Sequence, residues 1–197
     1  MWTPNVLVAG LGNPGPQYLA TRHNAGFLVL DELAECRRAA FNERGWGGLL
    51  ARVSLGGKQI LLLKPLTYMN RSGLSVQAAL TACGLTVAEL IVVHDDVDLP
   101  LGKIRVKRGG GTGGHRGLMS IASALGSDDY GRVRIGVGRP VEGVSTAAHV
   151  LEEFPVADNE VLARVLAGAA QAVCDFVILG LETAMNRHNG KDYSLPA

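Results

Sequence analysis

Four polar side chains in this chain stand where acid–base chemistry could be run. His23 lies in the stretch Gly10 to Gly26, G-L-G-N-P-G-P-Q-Y-L-A-T-R-H-N-A-G, together with Asn13. Histidine is the side chain whose ordinary pKa lies near neutrality, so it is the default base for hydrolysis at physiological pH. Asp95, in His94-Asp95-Asp96, follows the apolar run Ile91-Val92-Val93. A carboxylate there can hold one imidazole nitrogen while the other takes a proton from water. Asp96 and Asp98 compete for that role, although both also suit a solvated acidic turn before Pro100. His94 is expected to pack or to bond locally. Asn70 ends the run Lys64-Pro65-Leu66-Thr67-Tyr68-Met69. Neither a G-x-S-x-G elbow nor an H-E-x-x-H pair occurs, so a water activated by a base is the chemistry left in view.

A second group of residues suits an anion. Residues 100–140 hold eight lysines and arginines against Asp128 and Asp129, while the whole chain is only +1. Lys103, Arg105 and Lys107 share one face of a strand pattern, and Arg132 and Arg134 share one face of another, with Val133, Ile135 and Val137 opposite. Neighbouring strands would make a solvent-facing basic stripe suited to phosphates. Aromatics are 5% of the chain and none interleave with these charges, which disfavours stacking on single-stranded bases. A folded nucleic acid recognised by its backbone fits better. Gly109-Gly110-Gly111-Thr112-Gly113-Gly114-His115-Arg116-Gly117 lets backbone approach a substrate closely at a helix entrance. Gly10-Leu11-Gly12-Asn13-Pro14-Gly15 matches G-x-G-x-x-G, the dinucleotide fingerprint. Pro14 removes an N–H that a pyrophosphate needs, and the helix starts some ten residues late, so the match reads as coincidence.

Alternating strands and helices must position these groups. Val6–Ala9, Leu90–Val93, Lys103–Arg108 and Arg132–Gly138 read as strands, and Leu49–Leu55 with Gln59–Leu63 as a hairpin turning at Gly56-Gly57. Helices are expected over Ala25–Arg38 with Asn24 as N-cap, over Ser72–Cys83 ended by Gly84, over His115–Leu125, over a stretch capped by Asp158, and over Leu181–His188. This pattern predicts one α/β domain over residues 1–197, with a mixed, mostly parallel twisted sheet and helices on both faces. Open α/β sheets bind ligands beyond the carboxyl ends of their strands, so Asn13, Asn70 and Asp95 should converge on one crevice with His23 over it.

Composition sets the outer limits. A length of 197 residues with 47% apolar side chains suffices for a core that buries roughly 70% of the unfolded surface. No apolar run approaches the ~20 residues of a membrane span. The first basic residue is Arg22, so the start lacks the charged region of a signal peptide. Cys36, Cys83 and Cys174 are odd in number and far apart, which speaks for a reducing cytosol and three small buried hydrophobes.

Six segments in order resemble the bacterial peptidyl-tRNA hydrolases: Gly10–Gly15, Thr21–Gly26, Lys64–Gly73, Val93–Pro100, Gly109–Gly117 and Arg132–Gly138. The resemblance implies hydrolysis of the ester between a peptide and the 3′ end of tRNA, recycling the tRNA, by cytoplasmic enzymes that are usually monomers without metal or cofactor. It implies His23 as base, Asp95 as its orienter and Asn13 as a further catalytic group. Tyr18, Tyr68, Met69, Asn70, His115 and Arg116 would bind the substrate, and Arg105, Lys107 and Arg134 the tRNA. Arg116 departs from the family, which more often has asparagine after the loop histidine. Its role is open between the tRNA end and the developing oxyanion. A module that holds RNA without hydrolysing it is the main alternative, and a dinucleotide-binding oxidoreductase a distant one.

Overall fold

The computed structural model describes residues 2–195. Seven strands form one sheet: β1 Val6–Gly10, β2 Glu43–Gly45, β3 Gly48–Leu55, β4 Lys58–Pro65, β5 Leu90–Asp96, β6 Ile104–Arg108 and β7 Gly131–Gly136. Their order is β2-β3-β4-β1-β5-β7-β6. The central four, β4, β1, β5 and β7, run parallel, and antiparallel pairings extend both sides. The β3–β4 hairpin turns at Gly56 and Gly57 with φ of 57° and 78°, the left-handed pair that a two-residue turn needs.

Strand alternation divides the core into two. Val8, Val93, Val133 and Ile135 face one layer, with α1 Ala25–Cys36 and α5 Asn159–Leu179. Leu7, Ala9, Val92 and Leu63 face the other, with α2 Ser72–Cys83 and α3 Arg116–Leu125. Strands β1, β4 and β5 are therefore apolar on both sides along most of their length, as a sheet covered by helices requires, whereas β7 carries Arg132 and Arg134 on one face. With α4 Thr146–Leu151 and α6 Leu181–His188 the chain makes one α/β domain, as the sequence pattern predicts.

Several local expectations are corrected. Strand β2 and helix α4 escape the sequence reading because three and six residues are too few for a period to show. Helix α1 stops at Cys36 rather than Arg38, where φ is +51°. Asn24 and Asp158 stand before their helices, but neither side chain caps one. The segment Val156–Leu179, which contains α5, is long and apolar enough to cross a membrane by composition, contrary to the expectation of no such run. Its buried residues Val165, Ala169, Val173 and Val177 belong to the core beneath the sheet.

The glycines of the first loop serve packing. A Cβ on Gly26 would fall on Leu11 N and Val93 O, one on Gly10 on Gly26 O, and one on Gly12 would meet the Phe27 ring at 2.6 Å. Helix α1 therefore enters against the backbone at the ends of β1 and β5. This close approach accounts for Gly10 and Gly12 of the G-x-G-x-x-G match, while Gly15 has a φ of +120° in the loop, and it brings the turn holding His23 beside Asp95.

Candidate active site

The crevice opens at the carboxyl ends of β1, β4 and β5, as the topology requires, with a volume of about 790 Å³. Asn13, His23, Asp95 and Asn70 all line it. Arg22 anchors the His23 turn: its guanidinium donates to His149 O at 3.1 Å and to Glu152 at 3.2 Å. Short helix α4, invisible in the sequence pattern, is thus what holds the turn from outside.

At the centre is a shared carboxylate. His23 Nδ1 lies 3.0 Å from each oxygen of Asp95, and His115 Nε2 lies 2.9 Å from Oδ1. Asp95 is 3% exposed. Burial alone would raise its pKa, but the His115 and His23 rings, through their fields and hydrogen bonds, outweigh burial and hold the carboxyl well below its usual range. An ionised Asp95 accepts Nδ1–H from His23, which leaves the Nε2 lone pair of His23 free for a proton. His115 is the N-cap of α3: its Nδ1 accepts from the amides of Gly117 at 3.1 Å and Leu118 at 3.4 Å. Its own proton therefore sits on Nε2, aimed at Asp95.

Those directions bear on metal binding. The ligand atoms of His23, Asp95 and His115 lie within 4.8 Å of one another, close enough for one ion. A metal would need the Nε2 lone pair of His115, which forces a proton onto Nδ1 against two amide donors. The donor set fits a hydrogen-bonded relay and not a metal centre. His94, 2% exposed, bonds its neighbour as expected, Nδ1 donating to Asp95 O at 2.7 Å. Burial, then the nearby His115, depresses its pKa to about 3, so it stays neutral.

Asn13 is gripped on three sides. Its backbone N–H donates to Asn24 Oδ1 at 2.8 Å and its carbonyl accepts from Asn24 Nδ2 at 3.1 Å. Its side-chain Oδ1 accepts from Met69 N at 2.9 Å. The Asn13 amide group is thereby turned with NH₂ toward the crevice. Asn24, read from sequence as a cap, is the residue that positions Asn13, and only its adjacency to His23 could have flagged it.

Other residues fall out as follows. Met69 is buried in the wall, Tyr68 stands 60% exposed at the mouth, and Asn70, His115 and Arg116 line the crevice. Arg116 is exposed and makes no hydrogen bond or ion pair among the described residues. Tyr18 is not brought to the crevice wall; it sits in a short turn at Pro16–Tyr18, and its carbonyl accepts from Thr21 Oγ1 at 2.9 Å. Lys107 and Arg134 line the crevice, whereas Arg105 faces solvent beyond it. Asp96 is not a free acid: it accepts from Arg134 Nε at 2.5 Å. Asp98 pairs with exposed Arg139 at 2.8 Å, the solvated turn expected of it. Arg132 departs from the expected stripe. It is 2% exposed and covered by the glycine loop.

The chain is similar to known proteins along nearly its whole length. The family model described as peptidyl-tRNA hydrolase matches residues 7–195. A peptidyl-tRNA hydrolase of Geobacter sulfurreducens is 45% identical over 190 residues, 96% of this chain and 98% of its own. One from Synechococcus sp. (strain JA-3-3Ab) is 49% identical, covering 96% and 85% of the two chains. The crystal structure of peptidyl-tRNA hydrolase from Acinetobacter baumannii superposes with a TM-score of 0.89 at 34% identity, over 97% of this chain and 98% of that one. The likeness runs through every element that frames the crevice, and on that extent the chain belongs to the peptidyl-tRNA hydrolase family.

Proposed function

We propose that this hydrolase cleaves the ester between a peptide and the 3′ end of tRNA with His23 as general base. The carrying observation is His23 Nδ1 held 3.0 Å from both oxygens of ionised Asp95 in a crevice with a cationic wall. Asp95 keeps the His23 proton on Nδ1 and steadies the imidazolium that forms later. His23 Nε2 takes a proton from water as the oxygen attacks the ester carbonyl. The tetrahedral oxyanion meets the Asn13 NH₂ group, already turned toward it. The C–O bond to the ribose then breaks, and the leaving oxygen recovers the proton from His23. An ester needs no covalent nucleophile, because its alkoxide departs more readily than an amine.

Tyr68, Met69, Asn70, His115 and Arg116 form the walls for the peptide and the terminal nucleotide. Lys107 and Arg134, with Arg105 outside them, meet the phosphates of the tRNA. The reading is of a cytoplasmic monomer that returns tRNA to translation and carries no metal or cofactor. Release of free tRNA from a peptidyl-tRNA, compared between wild type and His23→Ala, tests it. Turnover should fall by at least the roughly 10²–10⁴-fold of a lost general base. Near-normal release from His23→Ala would end the assignment.

A further inference from the structure

Strands β6 and β7 set like charges opposite one another. Lys107 is the cross-strand partner of Arg132, and Arg105 of Arg134. Opposed like charges weaken a strand pair, so four cations on one face need a compensating partner. Arg134 has Asp96. Among the described residues Arg132 has no acid within ion-pair distance, although it is the largest of their fully buried side chains.

The Arg132 fork is spent on backbone. Nη1 donates to Gly111 O at 2.8 Å, and Nη2 to Gly110 O at 2.5 Å and Asp128 O at 3.3 Å. The guanidinium also lies 4.8 Å from the Tyr130 ring centre. Gly110 has φ of +92°, and a Cβ there would fall on Lys107 Nζ. The Lys107 ammonium thus rests on the very peptide that Arg132 holds. Burial, and then the charges of Arg132, Arg134 and Arg105, lower the Lys107 pKa.

We propose that Arg132 is a positioning residue for tRNA: by gripping the Gly110 and Gly111 carbonyls it shapes the glycine loop that seats Lys107 against a phosphate. This rests on the reading that Lys107 meets tRNA phosphate. The planar fork is essential, because an ammonium cannot bridge successive carbonyls in the same geometry. The buried charge of Arg132 also adds to the potential that a phosphate answers. Its action falls on binding and not on the chemical step, since His115, further along the same chain segment, has its own anchors in Asp95 and the α3 amides.

The test is Arg132→Lys, which keeps the charge and loses the fork. KM for peptidyl-tRNA should rise about tenfold, the scale of one lost charged contact. Turnover at saturation and hydrolysis of a short ester lacking tRNA should not change. In a Lys107→Ala background, Arg132→Lys should add little to KM. An equal factor with and without Lys107, or an unchanged KM, overturns the proposal. Lys107→Ala that leaves KM unchanged defeats the phosphate reading itself and the proposal with it. Should Arg132→Lys fail to fold, Gly110→Ala disturbs the peptide that joins the two, because its φ of +92° strains an alanine and the new Cβ meets Lys107 Nζ. It should raise KM only while Lys107 is present, and an unaltered KM there overturns the proposal as well.

Discussion

Replacing Asp95 by asparagine is the sharpest probe of the relay, because the change is nearly isosteric and removes one charge. Two N–H groups converge on this carboxylate, His23 Nδ1 at 3.0 Å and His115 Nε2 at 2.9 Å. Charged hydrogen bonds contribute about 1.5–3 kcal/mol and neutral ones about 0.5–1.5, so the imidazolium of His23 loses about 1–2 kcal/mol of support. An amide also offers one accepting oxygen and one NH₂, so one imidazole must yield. The Gly117 and Leu118 amides lock the tautomer of His115. His23 is then the ring that turns its lone pair to the amide and carries its proton on Nε2, where it cannot serve as base. Restoring the productive tautomer means leaving a buried N–H unmet, about 1–3 kcal/mol more. Together these come to about 2–5 kcal/mol, roughly 30- to 5000-fold in kcat. The loss should stay below that of His23→Ala, since the ring remains. Single-turnover release of tRNA at saturating enzyme measures it, in wild type, Asp95→Asn, His23→Ala and the double variant. Asp95→Asn should be almost silent once His23 is gone, because it acts through that ring. A kcat within threefold of wild type, or full additivity in the double variant, would refute the reasoning.

Lys107→Ala and Arg134→Ala should each raise KM for peptidyl-tRNA, and the pair should flatten its dependence on salt; a short ester should not register either change. An unaltered salt slope in the pair would remove this wall as the tRNA contact. Arg116→Asn should leave kcat nearly intact and weaken substrate binding modestly, more at low salt, since an exposed arginine without a partner offers only donors and charge. A large fall in kcat at unchanged KM would place Arg116 in the transition state instead. Away from the crevice, Asp175 is buried beside His188 Nε2 at 3.0 Å and Gln171 Nε2 at 2.9 Å. Burial works to raise its pKa, but bonds from His188, Gln171 and Arg187 prevail and lower it. A carboxyl depressed in the folded state contributes stability above its unfolded pKa, about 3.9, and loses it as pH falls through the folded value. Melting curves should therefore show Asp175→Asn less stable than wild type at pH 6–7, with the gap closing below about pH 4; a gap independent of pH would contradict this.

Periodicity and spacing were enough for the α/β class, the hairpin at Gly56-Gly57, most helices, and the meeting of Asn13, Asn70 and Asp95 with His23. These follow from local rules: apolar period, turn chemistry, and the habit of open sheets to place ligands at strand ends. Tertiary contact decided what each polar atom does. Asn24 could cap a helix by its position, yet its amide is used on Asn13, since α1 enters too close to β1 for a conventional start. Asp96 could have been a solvated acid, but the β5–β7 pairing sets it beside Arg134. Arg132 alternates with Arg134 along β7 and shares its face, so pattern alone makes them equivalent. Both line the crevice, and only the glycine loop folding back over Arg132 separates them, binding one cation to backbone carbonyls and leaving the other paired with Asp96. The direction of a hydrogen bond is set by neighbours distant in the chain, and a one-dimensional pattern does not carry that information.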